Sequence, residues 1–394
     1  MNPTASSRRR FLASSAAAAG ALALPRAVAG SLPWLEGLLP RLGTKTEHVV
    51  LVAFAGGVRK QDVLDAPQNV PNLLRIAAQG VTCPAVRVEN VGHYGAALSI
   101  FTGRFEAMGI RENEPGLDPT IFERLRKDHA LAAGDVWLST ASGAQGRLFA
   151  ASAHPQYGPD YAANLLDGDG IFNPELKKVL DGLGKPKPEA ERERELLERL
   201  SGAIDESALV LPQGQRAPDP QDVQRVAGFV LDQLAGRNAQ ISGPGAADAK
   251  AIRTGTDLLR VFKPRVLGIT LQSADVAHGS YNAYVEVIRR NDEELGRLWD
   301  AIQQDDALRD TTAVFVLPEF GRDQDLNERN GLDHGDGSKA LLEVFLIAAG
   351  PDFKRGKVLK DELRSIDVCP TVLALFGERA ARGVDGKVIR GLFA

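Results

Sequence analysis

Short runs of consecutive apolar residues alternate along this chain with longer stretches in which apolar positions recur every three or four residues. Val49 to Phe54, Asp135 to Ser139, Arg265 to Leu271, Thr312 to Leu317 and Val344 to Ala348 form the first kind. They lack the polar alternation of a half-exposed strand, so they are expected to be strands buried on both faces. Between them the period changes. Pro71 to Gly80 reads as a short helix with proline near its start and glycine at its stop. Tyr94 to Phe101 suits a buried helix, and Asp367 to Phe376 a closing helix with Pro370 in its first turn. Tyr281 to Gln303 places Tyr284, Val285, Ile288, Leu295, Leu298 and Ile302 on one helical stripe. This alternation predicts an α/β fold, a three-layer αβα sandwich around a mainly parallel sheet, spanning 45–394.

The middle departs from the pattern. From about 151 to 262 strand signals fade, and Lys185-Pro186-Lys187-Pro188 leads into a charged helix over Glu189 to Leu200. A second helix is expected from Pro218-Asp219-Pro220-Gln221 to Leu234, before a break at Ser242-Gly243-Pro244-Gly245. We read 151–262 as a helical insertion capping the active face.

The start of the chain is of another kind. Ser7-Arg8-Arg9-Arg10-Phe11-Leu12, an apolar run from Ala13 to Leu24, and Ala27-Val28-Ala29 resemble a twin-arginine signal peptide over residues 1–29. The implied partner is the twin-arginine translocase, the implied location the periplasm, and no stable membrane span is expected after cleavage. Loss of Arg8, Arg9, Arg10 and Arg26, with no acid, takes the net charge from -4 to about -8. An acidic protein without a basic run has no means of neutralising a nucleic-acid backbone, which excludes that partner class. Cys83 and Cys369 lack metal-type spacing and read as buried thiols, with a bridge as the alternative.

The polar clusters fall just beyond the expected strands, where an open sheet presents chemistry. Gly56-Gly57 follows the first; it permits a tight turn with amides facing an anion, but lacks the spacing of a nucleotide loop, so no nucleotide cofactor is expected. Gly92-His93 opens the apolar helix, where free amides and an imidazole could face an anion. Asp275 and His278 follow another strand, two residues apart, and can converge on one cation. Glu319, Phe320, Gly321 and Arg322 end a further strand, and Asp333-His334 lies in the glycine-rich segment after it.

In this order the clusters resemble the alkaline phosphatase superfamily, which includes sulfatases, phosphodiesterases and cofactor-independent phosphoglycerate mutases. Val49 to Val58, Asn72 to Gly103, Leu271 to Gly296, Ala313 to Gly335 and Ser365 to Leu373 carry the likeness. Glu319-Phe320-Gly321-Arg322 and Asp333-His334 resemble an uncharacterised exported bacterial branch. The resemblance implies a metal on Asp275, His278 and His334, although the family usually leaves three residues between the Asp and the first His. It also exposes losses, because Gly56, His93 and Phe320 stand where a second metal's aspartate, nucleophile and histidine are expected. One divalent ion is therefore expected, zinc first, with manganese or calcium as alternatives. His93 and Glu319 would be catalytic, and Gly57, Gly92 and Arg322 would bind substrate, with Arg59 an alternative charge clamp. The implied activity is hydrolysis of a small phosphate or sulfate ester, free or glycan-linked. The alternative is a catalytically inactive exported binding protein on the same fold.

Overall fold

A computed structural model describes residues 44–105, 114–167, 241–378 and 383–394. Its strands are β1 (His48–Phe54), β2 (Val81–Arg87), β3 (Val136–Thr140), β4 (Asn164–Asp167), β5 (Val266–Leu271), β6 (Thr312–Pro318), β7 (Glu343–Ala349), β8 (Lys357–Val358) and β9 (Leu363–Arg364). They form one sheet in the order β4-β3-β5-β1-β6-β7-β2-β8, with β9 also on β2. Only β7 runs against its neighbours, being antiparallel to β6 and β2.

The helices are α1 (Pro71–Ala78), α2 (His93–Thr102), α3 (Ile121–Lys127), α4 (Gly143–Ala150), α5 (Ala246–Phe262), α6 (Tyr281–Gln304), α7 (Lys339–Leu342) and α8 (Val368–Leu375). Successive side chains of β1 enter different cores, as a two-residue period requires. Val49, Leu51 and Ala53 join α2, α3, α4 and α8 in one core. Val50, Val52 and Phe54 join α1, α5 and α6 in the other. These two apolar layers make the three-layer sandwich, and full burial of each large β1 side chain contributes about 1.5–3 kcal/mol. Where helices begin, polar side chains hold the free amides. Thr120 and Glu123 form a reciprocal box at α3, and Ser280 accepts from the Ala283 amide at α6.

The span expected as a helical insertion contributes to the sheet domain at both ends. Asn164–Asp167 is the edge strand β4, parallel to β3, and α5 packs on the sheet with Ile252, Leu258 and Leu259 buried. The expected helices over Glu189 to Leu200 and Pro218 to Leu234 lie outside the described residues, as does the signal-like segment. Among the described residues no helix is long and apolar enough to cross a membrane. Cys83 and Cys369 are free and buried, and burial pushes both thiols up to about 12.

One detail of register positions everything polar. Phe54 pairs with Leu271 on one side and Pro318 on the other, so β5, β1 and β6 end level. The segments that follow them therefore start side by side.

Candidate functional site

After β5 the chain tightens into a 3-10 turn, Ser273–His278. Residues i and i+3 eclipse in such a turn, so two intervening residues put Asp275 and His278 on the same edge. Buried Asp248, in the first turn of α5, holds this turn. One of its oxygens accepts from the amides of Gln272 (2.8 Å) and Ser273 (2.9 Å), and the other from Asn291 Nδ2 (2.8 Å). No local pattern announces this role, since the partners lie far along the chain from Asp248.

After β6 come Glu319, Phe320 and Arg322, all with no exposed surface. The Glu319 amide continues the ladder by donating to Phe54 O at 3.1 Å. Its carboxylate reaches α2, where Oε1 lies 2.6 Å from His93 Nδ1. The His334 segment docks on the 3-10 turn, with Leu332 N donating to Ala277 O (2.7 Å) and Asn327 Nδ2 to His278 O (3.1 Å). Asp323 closes it by accepting from the amides of Gly335 and Asp336.

These elements gather His93, Asp275, His278 and His334, whose ligand-type atoms all lie within 4.8 Å of one another. His93 Nε2 is 3.0 Å from Asp275 Oδ1 without the alignment of a hydrogen bond, which leaves it a buried polar atom lacking such a partner. His278 Nδ1 is 2.6 Å from Asp333 Oδ1, which directs Nε2 inward to 3.4 Å from Asp275 Oδ1. His334 completes the group, its ring 4.8 Å from His93 and 5.0 Å from His278 between centroids. The other three histidines serve elsewhere: His48 on Pro264 O, His129 on Glu378, and His154 against Tyr157.

The charges are strongly coupled. Burial works against ionising Asp275, but His93 and Arg322 overcome it and hold the carboxyl well below the usual range. Burial likewise disfavours a charged His93, yet the carboxylates of Asp275 and Glu319 raise its pKa to about 9. Burial raises Glu319 to about 7, against the pull of His93. Burial, reinforced by the positive charges nearby, lowers the pKa of His334.

The donor set fits one divalent ion. The outer nitrogen of His278 is tied to a carboxylate, the arrangement that orients a histidine ligand, Asp275 and His334 lie within reach of the same point, and His93 Nε2 is a buried orphan beside them. Tetrahedral zinc ligands lie roughly 3.4 Å apart, so closing on an ion requires the imidazoles to turn inward. Among the described residues no second group of ligands stands beside it. A Cβ on Gly56 would lie 2.6 Å from Gln272 O and 2.8 Å from the Asp275 amide, so that backbone fills the place an aspartate needs. Phe320 offers no ligand, and its ring lies against His93 and His334 at 4.9 and 5.0 Å.

Several expected roles take a different form. The glycine pair turns carbonyls toward Arg322: Gly56 O and Gly57 O both accept from it. Gly57 has a φ of 68°, and a Cβ there would lie 2.8 Å from Arg322 Nε. The Gly92 amide, expected to face an anion, donates to Asn90 Oδ1 at 2.8 Å. Arg59 is no clamp, being buried against Asp62 and the carbonyls of Asp323 and Gln324. Nor does Arg322 have an N–H left for substrate. Nε donates to Gly57 O (3.5 Å), Nη1 to Leu332 O (3.3 Å) and His278 Nε2 (3.1 Å), and Nη2 to Gly56 O and Asp275 Oδ1 (2.6 Å). Asp333, singled out only as a neighbour of His334, is the residue that orients His278.

The nine-stranded, mostly parallel sheet between two helical layers is an alkaline phosphatase-like fold. The chain is similar to the alkaline phosphatase PafA, with a TM-score of 0.57 at 10% identity, over 90% of this chain and 100% of that one. A quadruple mutant of the same phosphatase gives 0.58 at 11% identity over the same shares. No family model and no curated protein matches the sequence.

Proposed function

We propose that this protein is a periplasmic, metal-dependent hydrolase of phosphate or sulfate esters. The observation that carries the reading is the convergence of His93, Asp275, His278 and His334 at the end of the sheet. Asp275, His278 and His334 would hold one divalent ion, zinc before manganese or calcium. Such an ion would supply Lewis acidity toward water and an ester oxygen. His93 handles the proton at Nε2, while Glu319 fixes its Nδ1 and balances the imidazolium charge. Phe320 and Glu319 wall off the far side of the ring and exclude water there. The periplasmic location and the translocase partner rest on the twin-arginine pattern around Arg8 and Arg9. The substrate class, a small anionic ester either free or on a glycan, is supported by the fold and by an acid–base pair beside a cation site.

Two observations favour the second reading, an exported protein that binds without turning over. The place of a second metal ligand at Gly56 is filled by backbone, and Arg322 has no N–H to offer an anion. The test is activity. Purified protein supplied with Zn²⁺, Mn²⁺ or Ca²⁺ is expected to hydrolyse activated aryl phosphates or sulfates above the metal-only background. Absence of turnover across that panel with each ion would overturn the hydrolase reading.

A further inference from the structure

Arg322 is a charged side chain with no exposed surface, and burying a guanidinium demands counter-charge and an acceptor for every N–H. Three acceptors are the carbonyls of Gly56, Gly57 and Leu332, and the fourth is Asp275 Oδ1. The fifth is unusual. Nη1 lies 3.1 Å from His278 Nε2, and because His278 Nδ1 is committed to Asp333, that contact falls on the Nε2 lone pair. A metal ion held by His278 would need the same lone pair. It would also need an oxygen of Asp275, whose Oδ1 already lies 2.6 Å from Nη2.

We propose that Arg322 is the resident cation of this centre, a specificity-determining residue that competes with a divalent ion for Asp275 Oδ1 and His278 Nε2. The inference rests on the reading that Asp275, His278 and His334 hold the ion. The guanidinium bridges the two donors from the protein side, between the turn after β5 and the Gly56-Gly57 turn after β1. It keeps the carboxylate and the imidazole paired when no ion is bound, and like-charge repulsion weakens the hold on an ion that arrives. The centre therefore assembles without metal and takes its ion reversibly. A purely structural arginine, tying three carbonyls together, would leave metal affinity unchanged when replaced.

The experiment is a calorimetric titration of Zn²⁺, with a competing chelator, into wild type, Arg322→Gln, Arg322→Lys and His334→Ala. Arg322→Gln is expected to bind at least about tenfold more tightly than wild type. Arg322→Lys should gain less, since an ammonium keeps the charge but cannot reach both acceptors. His334→Ala should weaken binding. Equal or weaker binding by Arg322→Gln beside a wild type that binds Zn²⁺ would overturn the proposal and leave the metal reading standing. Binding by Arg322→Gln alone would support the proposal and remove the metal reading for wild type, and binding by neither would remove both. Should the variants fail to fold, ¹⁵N-arginine spectra of wild type decide: the Arg322 side-chain signals must move as Zn²⁺ saturates the site, and unmoved signals would overturn the proposal.

Discussion

Exchange of His334 for alanine is expected to lower turnover of an activated ester on the order of 10³-fold or more, with stability changed by less than about 1 kcal/mol. The large effect follows from position. Burial and the positive charges around His334 lower its pKa, which favours an imidazole nitrogen available as a donor. The small effect follows from packing, because the ring sits partly exposed in a segment whose shape is set by others. Asp323 closes that segment on Gly335 and Asp336, and Leu332 and Asn327 pin it to the 3-10 turn. Steady-state kinetics beside urea unfolding checks both halves. Turnover equal to wild type would remove His334 from the chemistry, and a collapse in stability would recast it as a structural residue.

The second large effect concerns the missing aspartate. Gly56→Asp would restore the residue type the superfamily resemblance leads one to expect, yet it is expected to destabilise the protein by about 3 kcal/mol and to recruit no second ion. The reason is space. The new Cβ would stand 2.6 Å from Gln272 O and 2.8 Å from the Asp275 amide, and both are backbone atoms of the turn that carries the candidate ligands. Gly56→Ala should lose nearly as much, since the clash begins at Cβ and not at the carboxylate. Urea unfolding of the two variants, with metal content measured on each, tests this. An aspartate variant as stable as wild type and carrying two ions would show that the centre has room for the site it was thought to have lost.

Much of the fold was legible because the central strands are buried on both faces and therefore read as unbroken apolar runs. β1, β3, β5, β6 and β7 fell where Val49, Asp135, Arg265, Thr312 and Val344 begin their runs. β2 did not. Pro84 interrupts it, and the ladder to β7 shifts between Cys83 and Val86, so a bulge accommodates what the sequence presents as a breaker. β8 and β9 have two residues each and carry no period at all. β4 was lost in a stretch whose composition suggested helices only.

The candidate site was legible in its residue types but not in its wiring. Asp275, His278 and His334 share the predicted neighbourhood, and His93 and Glu319 stand beside them. The spacing of Asp275 and His278, one residue shorter than the superfamily pattern, makes sense only once the turn is 3-10. What each polar group donates to cannot be read from a chain. Arg322 reads as a free charge and Gly92 as a free amide, until the partners at Gly56, Asp275, His278 and Asn90 are in view. Partners 47 or 265 residues apart leave no local pattern.

The central claim is that the loops after β5 and β6, the two strands flanking β1, close on a single cation beside His93 at the start of α2. Elemental analysis of the purified protein, after equilibration with Zn²⁺ and gel filtration, tests it most directly, with His278→Ala/His334→Ala as the comparison. The account predicts one divalent ion per wild-type chain and less than about 0.1 in the double variant. Wild type carrying two ions, or none where the double variant also carries none, would contradict it.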